Sequence, residues 1–246
     1  MAGETEKRVK NIIIIGASSG IGRALALQYG RNPEIRLGLA ARREGELRDA
    51  AVRSAAGCEI QTFDLEQRDR AERLDALLAR FDRIDLVIYC AGFGELNPQL
   101  DWALCRRTLE VNVTGFTEVV NLVYRRLAEQ KHGQLAVISS VGGWRGFEND
   151  SGYSASKAYM RYYLEGLARK ANREKSGVRC VTILPGFVDT AMAKGGPFFW
   201  MCSPETAAAQ IIAGLRRRKR YLYVTRRWRL VGWLLRLLPY PWFERL

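Results

Sequence analysis

Histidine is almost missing from this 246-residue sequence: His132 stands alone, in a Lys131-His132-Gly133 turn ahead of an apolar run. That scarcity argues against hydrolases that need a histidine base late in the chain. Cysteine is too sparse for a framework. Cys58, Cys90, Cys105, Cys180 and Cys202 are odd in number, widely spaced and free of any C-x-x-C pair. They fit a reducing compartment better than a disulfide scaffold or a zinc site. Long apolar runs are missing as well. The four isoleucines after the charged start MAGETEKRVK are too few for a signal segment or a membrane span, so no secretion and a cytoplasmic location are expected.

Acid is short at one end only. Residues 216–246 hold ten Lys or Arg against one acid, Glu244, and so carry most of the net charge of +13. Basicity confined to a Trp-rich terminus points at least as much to an anionic membrane surface as to nucleic acid, which a whole basic domain face would suit better.

What the sequence does have is a series of apolar runs of strand length between helix-like amphipathic stretches. They lie at Asn11–Ile15, Ile35–Ala40, Glu59–Phe63, Asp85–Cys90, Gln134–Ser139, Val178–Leu184 and Tyr221–Thr225. Strands this uniformly apolar belong where helices cover both faces of a parallel sheet. The expected fold is therefore α/β: a three-layer, Rossmann-like, doubly wound parallel sheet of about seven strands over residues 1–225, followed by a basic amphipathic tail over 226–246. Between Gly186 and Pro204, the punctuation Gly195-Gly196-Pro197 and the bulky Phe198, Phe199, Trp200 and Met201 suit a mobile flap.

The first βα turn, GASSGIG at 16–22, matches both the elbow that presents a serine nucleophile and the turn that grips a phosphate. A hydrolase would place its elbow well after the first strand and supply a late histidine; neither holds. In the phosphate reading Gly16 closes a strand, Gly20 and Gly22 open a helix, and free N–H groups face a pyrophosphate without Cβ obstruction. Ser18, Ser19 and Ile21 belong to the same cradle. At the end of the second strand, where an acid would pair with a ribose 2′-hydroxyl, the chain reads Ala40-Ala41-Arg42-Arg43. Two arginines suit a 2′-phosphate, so NADP(H) is expected ahead of NAD(H), although Arg42 and Arg43 also read as a solvated helix start.

Tyr153 and Lys157 stand four apart in a helix-like stretch, on one face, able to approach a common site. A neighbouring ammonium favours the phenolate and makes a tyrosine usable as a general acid or base nearer neutral pH.

With these residues the sequence resembles the short-chain dehydrogenase/reductase family in its single-domain branch, from about Lys10 to about Thr225. The motifs occur in order: GASSGIG at 16–22, Asp64-Leu65, Ala91-Gly92, Asn112, Ile138-Ser139-Ser140, Tyr153 with Lys157, and Pro185-Gly186. The resemblance implies an oxidoreductase that moves hydride between a nicotinamide and a carbonyl or hydroxyl carbon, with no metal required. It implies that Ser140 hydrogen-bonds the reacting oxygen while Ser139 stays in the strand. Tyr153 is the implied proton donor, and Lys157 holds the nicotinamide ribose and biases the tyrosine. Asn112 bends its helix and anchors a water for proton relay. Asp64 with Leu65 meets the adenine, Ala91 and Gly92 line the ribose path, and Pro185, Gly186, Val188 and Thr190 contact the nicotinamide end. A homodimer or homotetramer through the helices carrying Asn112 and Tyr153 is implied too. Two departures stand out: Ile15 replaces the usual threonine, and Tyr89-Cys90 replaces the usual Asn-Asn before Ala91-Gly92. Both touch hydrogen bonds that brace the central strands. A non-catalytic NADP-binding regulator or scaffold is the alternative in another class, and the presence of Tyr153 and Lys157 argues against it.

The flap aromatics suggest a hydrophobic substrate, or else they anchor the flap. A helix over Trp228–Leu238 would be about 16 Å long, short of a hydrocarbon core of about 30 Å, and cannot span. Arg229 and Arg236 share one face, and Trp228, Val231, Leu234, Leu235 and Leu238 are expected to form a broad opposite one. Such a helix lies peripherally on the inner face of an anionic membrane, with Arg216–Arg220 adding attraction, or it packs on its own domain or a partner subunit.

Overall fold

The structure, a computed structural model, describes residues 9–193, 198–217 and 219–245. Its seven strands are β1 (Lys10–Ile15), β2 (Ile35–Ala41), β3 (Cys58–Thr62), β4 (Leu86–Tyr89), β5 (Gly133–Ile138), β6 (Val178–Pro185) and β7 (Tyr221–Val224). All neighbours pair in parallel, in the order β3-β2-β1-β4-β5-β6-β7. The chain winds from β1 outward to β3, returns to lay β4 beside β1, and winds the other way to β7. At that reversal the loops after β1 and β4 diverge and leave the crevice in which open α/β sheets take ligands.

Helices cover both faces, which is why the inner strands are largely apolar, while the edge strand β3, CEIQT, is half-buried along its length. Ile12 and Ile14 enter one layer and Ile13 and Ile15 the other, as the period of two demands. The first layer is closed by α1 (Gly20–Gly30), α2 (Glu44–Val52) and α7 (Pro204–Arg216), through residues such as Leu25, Leu47 and Ile211. The second is closed by α3 (Arg70–Leu78), α5 (Phe116–Glu129) and α6 (Ser151–Glu174), through Leu74, Val123 and Leu164. Ahead of α5, α4 (Trp102–Leu109) runs into a π-helical turn, Glu110–Gly115, that carries Asn112. Arg70 braces this junction. It reaches Glu110 and Glu118, each at 2.5 Å, and donates to the Leu65 carbonyl.

After β7 come α8 (Trp228–Leu237) and α9 (Tyr240–Phe243). Trp228 is 4% exposed and forms a small third cluster with Val141 and Leu184, on which Val231 and Leu235 pack. A Cβ built on Gly186 would lie 1.9 Å from the Trp228 ring, so the indole rests directly on the glycine backbone. Arg145 holds the far end of α8, donating from Nε to the Leu235 carbonyl at 2.6 Å and from Nη2 to the Leu238 carbonyl. These are the orphan acceptors at the negative end of the helix, where a cation is favoured.

The expected apolar face of this helix needs correction. Trp228, Val231 and Leu235 do turn inward, but Leu234 is 59% exposed together with Leu230, Trp233 and Leu237. The helix is apolar on two sides, so periodicity cannot choose the buried one; packing against Gly186 and Val141 chooses it. The helix also stops at Leu237, because Leu238 precedes Pro239 and adopts an extended conformation.

Trp228→Ala leaves a large cavity under α8 and is expected to lower the unfolding free energy by about 3–5 kcal/mol. Urea denaturation checks this; a loss under about 1 kcal/mol would mean that the indole is not part of the core.

Candidate active site

The glycine turn is built by close backbone approach. Gly16 and Gly20 have φ of +90° and +50°. A Cβ on Gly16 would come within 2.6 Å of the Ala91 nitrogen, and one on Gly22 within 2.1 Å of the Gly16 carbonyl oxygen. The turn, the start of α1 and the loop after β4 therefore meet main chain to main chain. The helix begins at Gly20 with Ser19 as N-cap and no side-chain capping bond, so its first N–H groups can serve an anion. Ser18 and exposed Ser19 rim the turn, and Ile21 packs on the core.

The two arginines after β2 part company. Arg43 reaches back to the turn, its Nη2 donating to the Ser18 carbonyl at 3.2 Å and to Ser18 Oγ at 3.1 Å. Arg42 turns to Asp64 and Glu66, each at 3.7 Å. Asp64 follows β3, its Oδ1 accepting from the Glu66 N–H at 3.1 Å, and Leu65 beside it is buried.

At the C-terminal ends of β4 and β5 the side chains expected to carry chemistry come together. Ser140 follows β5, accepts from the Gly142 N–H at 3.0 Å and hydrogen-bonds the Tyr153 phenol. Tyr153 lies in the first turn of α6. Part of its side chain meets solvent, yet the phenol is enclosed. Burial pushes it up to about 12, against the hydrogen bond from Ser140, which lowers it, while Asp150 raises it further. Lys157 is 3% exposed, its ammonium 5.6 Å from the centre of the Tyr153 ring. Its N–H groups meet the Ile138 carbonyl at 3.3 Å and the Met160 sulfur at 3.6 Å. Burial lowers Lys157 to about 8, with nearby Cys90 acting the other way. Ala91 and Gly92 follow β4, and a Cβ on Gly92 would stand 3.1 Å from Lys157 Nζ. Asn112 is fully buried. Its Nδ2 donates to the Phe93 carbonyl at 2.7 Å and to Ser156 Oγ at 2.9 Å, and its Oδ1 accepts from the Phe93 N–H at 2.8 Å.

Several contributors escape sequence reasoning. Gly94 lies so close that a Cβ there would sit 2.6 Å from the Tyr153 ring. Ser139 donates to the Lys157 carbonyl at 2.7 Å, and a Cβ on Gly143 would meet the same peptide at 2.9 Å. Together they clamp α6 where Lys157 leaves it. No sequence signal marks these glycines, since each is required by a contact distant in the chain. At the departure Tyr89-Cys90, the Tyr89 hydroxyl is buried without a hydrogen-bond partner among the described residues, and Cys90 takes a place beside Lys157.

The remaining expected contacts close the other side. Pro185 ends β6, and the Gly186 N–H donates to the Val224 carbonyl at 2.8 Å. Thr190 lies opposite Gly20, its Cγ2 3.0 Å from a Cβ built there. Val188 pairs with Cys202 across the neck of the flap. Beyond the neck Phe198 stacks on Phe187 at 4.2 Å, and Phe199 lies 5.1 Å from Trp228. Phe198 thus rests on the body, whereas Phe199 and Trp200 touch Trp228 but stay exposed; Lys194 and the Gly195-Gly196-Pro197 punctuation lie outside the described residues. His132 pairs with Asp85 at 3.1 Å at the opposite end of the sheet. Among the described residues no cluster of His, Cys, Asp or Glu is arranged to hold a metal.

Comparison with known proteins agrees with the fold. The family model described as short chain dehydrogenase matches residues 10–196. An uncharacterized oxidoreductase of Myxococcus xanthus is 32% identical, with 97% of this chain and 96% of the relative covered. Another uncharacterized oxidoreductase, from Streptomyces coelicolor, is 31% identical with 96% of each covered. Among solved structures, a short-chain dehydrogenase from Sphingobium yanoikuyae in complex with NADPH has a TM-score of 0.81 at 24% identity, covering 91% of this chain and 92% of that one. A short-chain dehydrogenase from Burkholderia cenocepacia in complex with NADP has a TM-score of 0.81 at 22% identity, covering 98% and 99%. Both share the fold.

The lowered Lys157 gives a pH test. Between about 8 and the ordinary 10.5, the unfolded chain keeps a proton at this lysine that the folded chain has lost, so raising the pH favours the folded state across that window. Below it the burial penalty on the charged form is fully present. Ligand-free Lys157→Met is therefore expected to exceed the wild type in stability at neutral pH by on the order of a few kcal/mol, and to lose that advantage towards pH 10.5. Denaturant titrations of both proteins at several pH values measure the difference; a constant gap would contradict it.

Proposed function

The chain belongs to the short-chain dehydrogenase family and is an oxidoreductase of it; on that premise we propose that it transfers hydride between NADP(H) and the carbonyl or hydroxyl carbon of a hydrophobic substrate. The observation that carries this reading is the meeting of a phenol, a serine hydroxyl and a buried ammonium beside a glycine turn that can hold an anion.

The residues fit a nicotinamide dinucleotide. The glycine turn and the open N-terminus of α1 suit its pyrophosphate. Arg43, at the lip of the same turn, suits a 2′-phosphate, whereas Arg42 is engaged by Asp64 and Glu66. Lys157 has donor capacity to spare for ribose hydroxyls. The bound nicotinamide supplies or accepts the hydride. In the reductive direction Tyr153, which its burial keeps protonated at neutral pH, gives its proton to the substrate oxygen. Ser140 donates to that oxygen as negative charge collects on it. The Lys157 cation stabilises the tyrosinate left behind. Asn112, fixed by its bonds to Phe93, supports the water that returns a proton to the site. The apolar flap and the Trp228 cluster favour an apolar substrate. The 29% identical relative named 11-beta-hydroxysteroid dehydrogenase A, from Sesamum indicum, which matches 76% of this chain over 54% of its own length, supports that choice.

Tyr153→Phe is expected to lower kcat by about 100- to 10,000-fold while leaving NADPH binding nearly intact; unchanged turnover in an NADPH-oxidation assay over apolar ketones and aldehydes would refute the assignment. Gly94→Ala, which pushes on the same ring, is expected to lower kcat by about 100-fold. In that variant the Kd for NADPH should hold, and a change confined to Kd would contradict the contact. Arg43→Ala is expected to reduce the preference for NADPH over NADH by about tenfold or more, read from kcat/KM with each cofactor; an unaltered ratio would remove Arg43 from the cofactor site.

A further inference from the structure

β7 is an edge strand, and beside it, among α6, α7 and α8, runs a groove of about 1090 Å³. Eight of its lining residues are arginine or lysine and none is acidic. Glu165, which does not line it, accepts a hydrogen bond from Tyr221 at 3.4 Å. Arg217, Arg220, Arg226, Arg229 and Arg236 crowd like charge into this groove, and anions would relieve the repulsion.

The neighbouring side of α8 is apolar and faces solvent. Leu230 is 70%, Trp233 55%, Leu234 59% and Leu237 71% exposed, and α9 continues the patch with Tyr240 and Trp242. Single exposed apolar side chains are ordinary, but a joined patch with two tryptophans marks a binding surface. The helix cannot turn this side inward, because Trp228 and Arg145 already fix its other side to the body. Trp233 belongs to both features: it is exposed on α8, lines the groove and lies under the Arg229 guanidinium at 5.5 Å.

We propose that this face binds the surface of an anionic bilayer. The outer side of α8 with α9 enters the boundary between headgroups and acyl chains, and the groove arginines meet lipid phosphates. The charge distribution favours this occupant. A second copy related by a two-fold axis would bring arginine against arginine. A nucleic acid would neutralise the groove yet leave Leu230, Leu234 and Leu237 in water. The ten residues of α8 span about 15 Å, and no helix among the described residues is long and apolar enough to cross a membrane, so the contact is peripheral.

The same helices also touch the flap and the loop that precedes α6. Trp228 meets Phe199 and Trp200 of the flap at 5.1 and 6.0 Å, and Phe243 meets Phe147, in the loop before α6, at 5.8 Å. Docking by this face therefore places the flap and the loop before α6 near the lipid boundary. Vesicle binding requires no turnover, so the inference is tested apart from the proposed reaction.

The test is sedimentation of the full-length protein with phosphatidylcholine vesicles and with mixed phosphatidylcholine–phosphatidylglycerol vesicles. Binding is expected to be about tenfold or more tighter to the anionic vesicles and to weaken with salt. Leu237→Glu and the double variant R226Q/R229Q should each weaken it by about tenfold or more, with circular dichroism and NADPH binding unchanged as the control on folding. Equal binding to both vesicle types, or no binding by the wild type, would overturn the proposal. So would light scattering that shows a dimer disrupted by Leu237→Glu without vesicle binding, or nucleic-acid binding that R226Q/R229Q abolishes while vesicle binding persists unaltered.

Discussion

A lysine ammonium held almost entirely out of water is the constraint on which the site depends. Lys157 meets one carbonyl and one thioether, and its own tendency is to lose its proton. Its backbone is held by the hydrogen bond from Ser139 and by the close approach of Gly143. An ammonium so placed is a poor source of stability and a good source of field, since the low local dielectric that penalises it also strengthens its pull on a phenolate. Tyr153 feels the same burial with the opposite effect on its proton, which it retains. A proton donor and a cation ready to stabilise its conjugate base thus come from one environment acting on two groups of different charge type.

Glycines set the distances that make this environment. Gly16 and Gly22 let β1, α1 and the loop after β4 touch, Gly92 and Gly94 bring that loop onto Lys157 and Tyr153, and Gly186 accepts Trp228. The last contact makes the C-terminal helices part of the site's support. Trp228 packs on Val141, one residue after Ser140, and on Phe187, at the root of the flap. A change in the position of α8 would therefore be felt on both sides of the reacting groups.

Much of this was legible in the sequence, for identifiable reasons. The strands stood out because burial on both faces removes polar alternation; β5, expected at Gln134–Ser139, runs Gly133–Ile138. The glycine turn, Tyr153 and Lys157 were legible because positive φ, the approach of Gly22 to Gly16 and helical spacing are local properties. Gly94 and Gly143 were not, because their need for hydrogen in place of a methyl arises from α6, far along the chain. Nor could local chemistry divide Arg42 from Arg43: that division depends on Asp64 and Glu66 across β3. The tail helix was legible as amphipathic, but with apolar residues on two sides its buried face was set by tertiary contact.

The role of Lys157 is decided by where a dinucleotide lies relative to it. Crystallography of the protein with NADPH measures this directly. The pyrophosphate is expected at the N-terminus of α1, the 2′-phosphate beside Arg43, and the nicotinamide ribose within hydrogen-bond distance of Lys157 Nζ with the Tyr153 hydroxyl facing the ring. A dinucleotide bound elsewhere, or a Tyr153 hydroxyl turned away from the nicotinamide, would contradict that role.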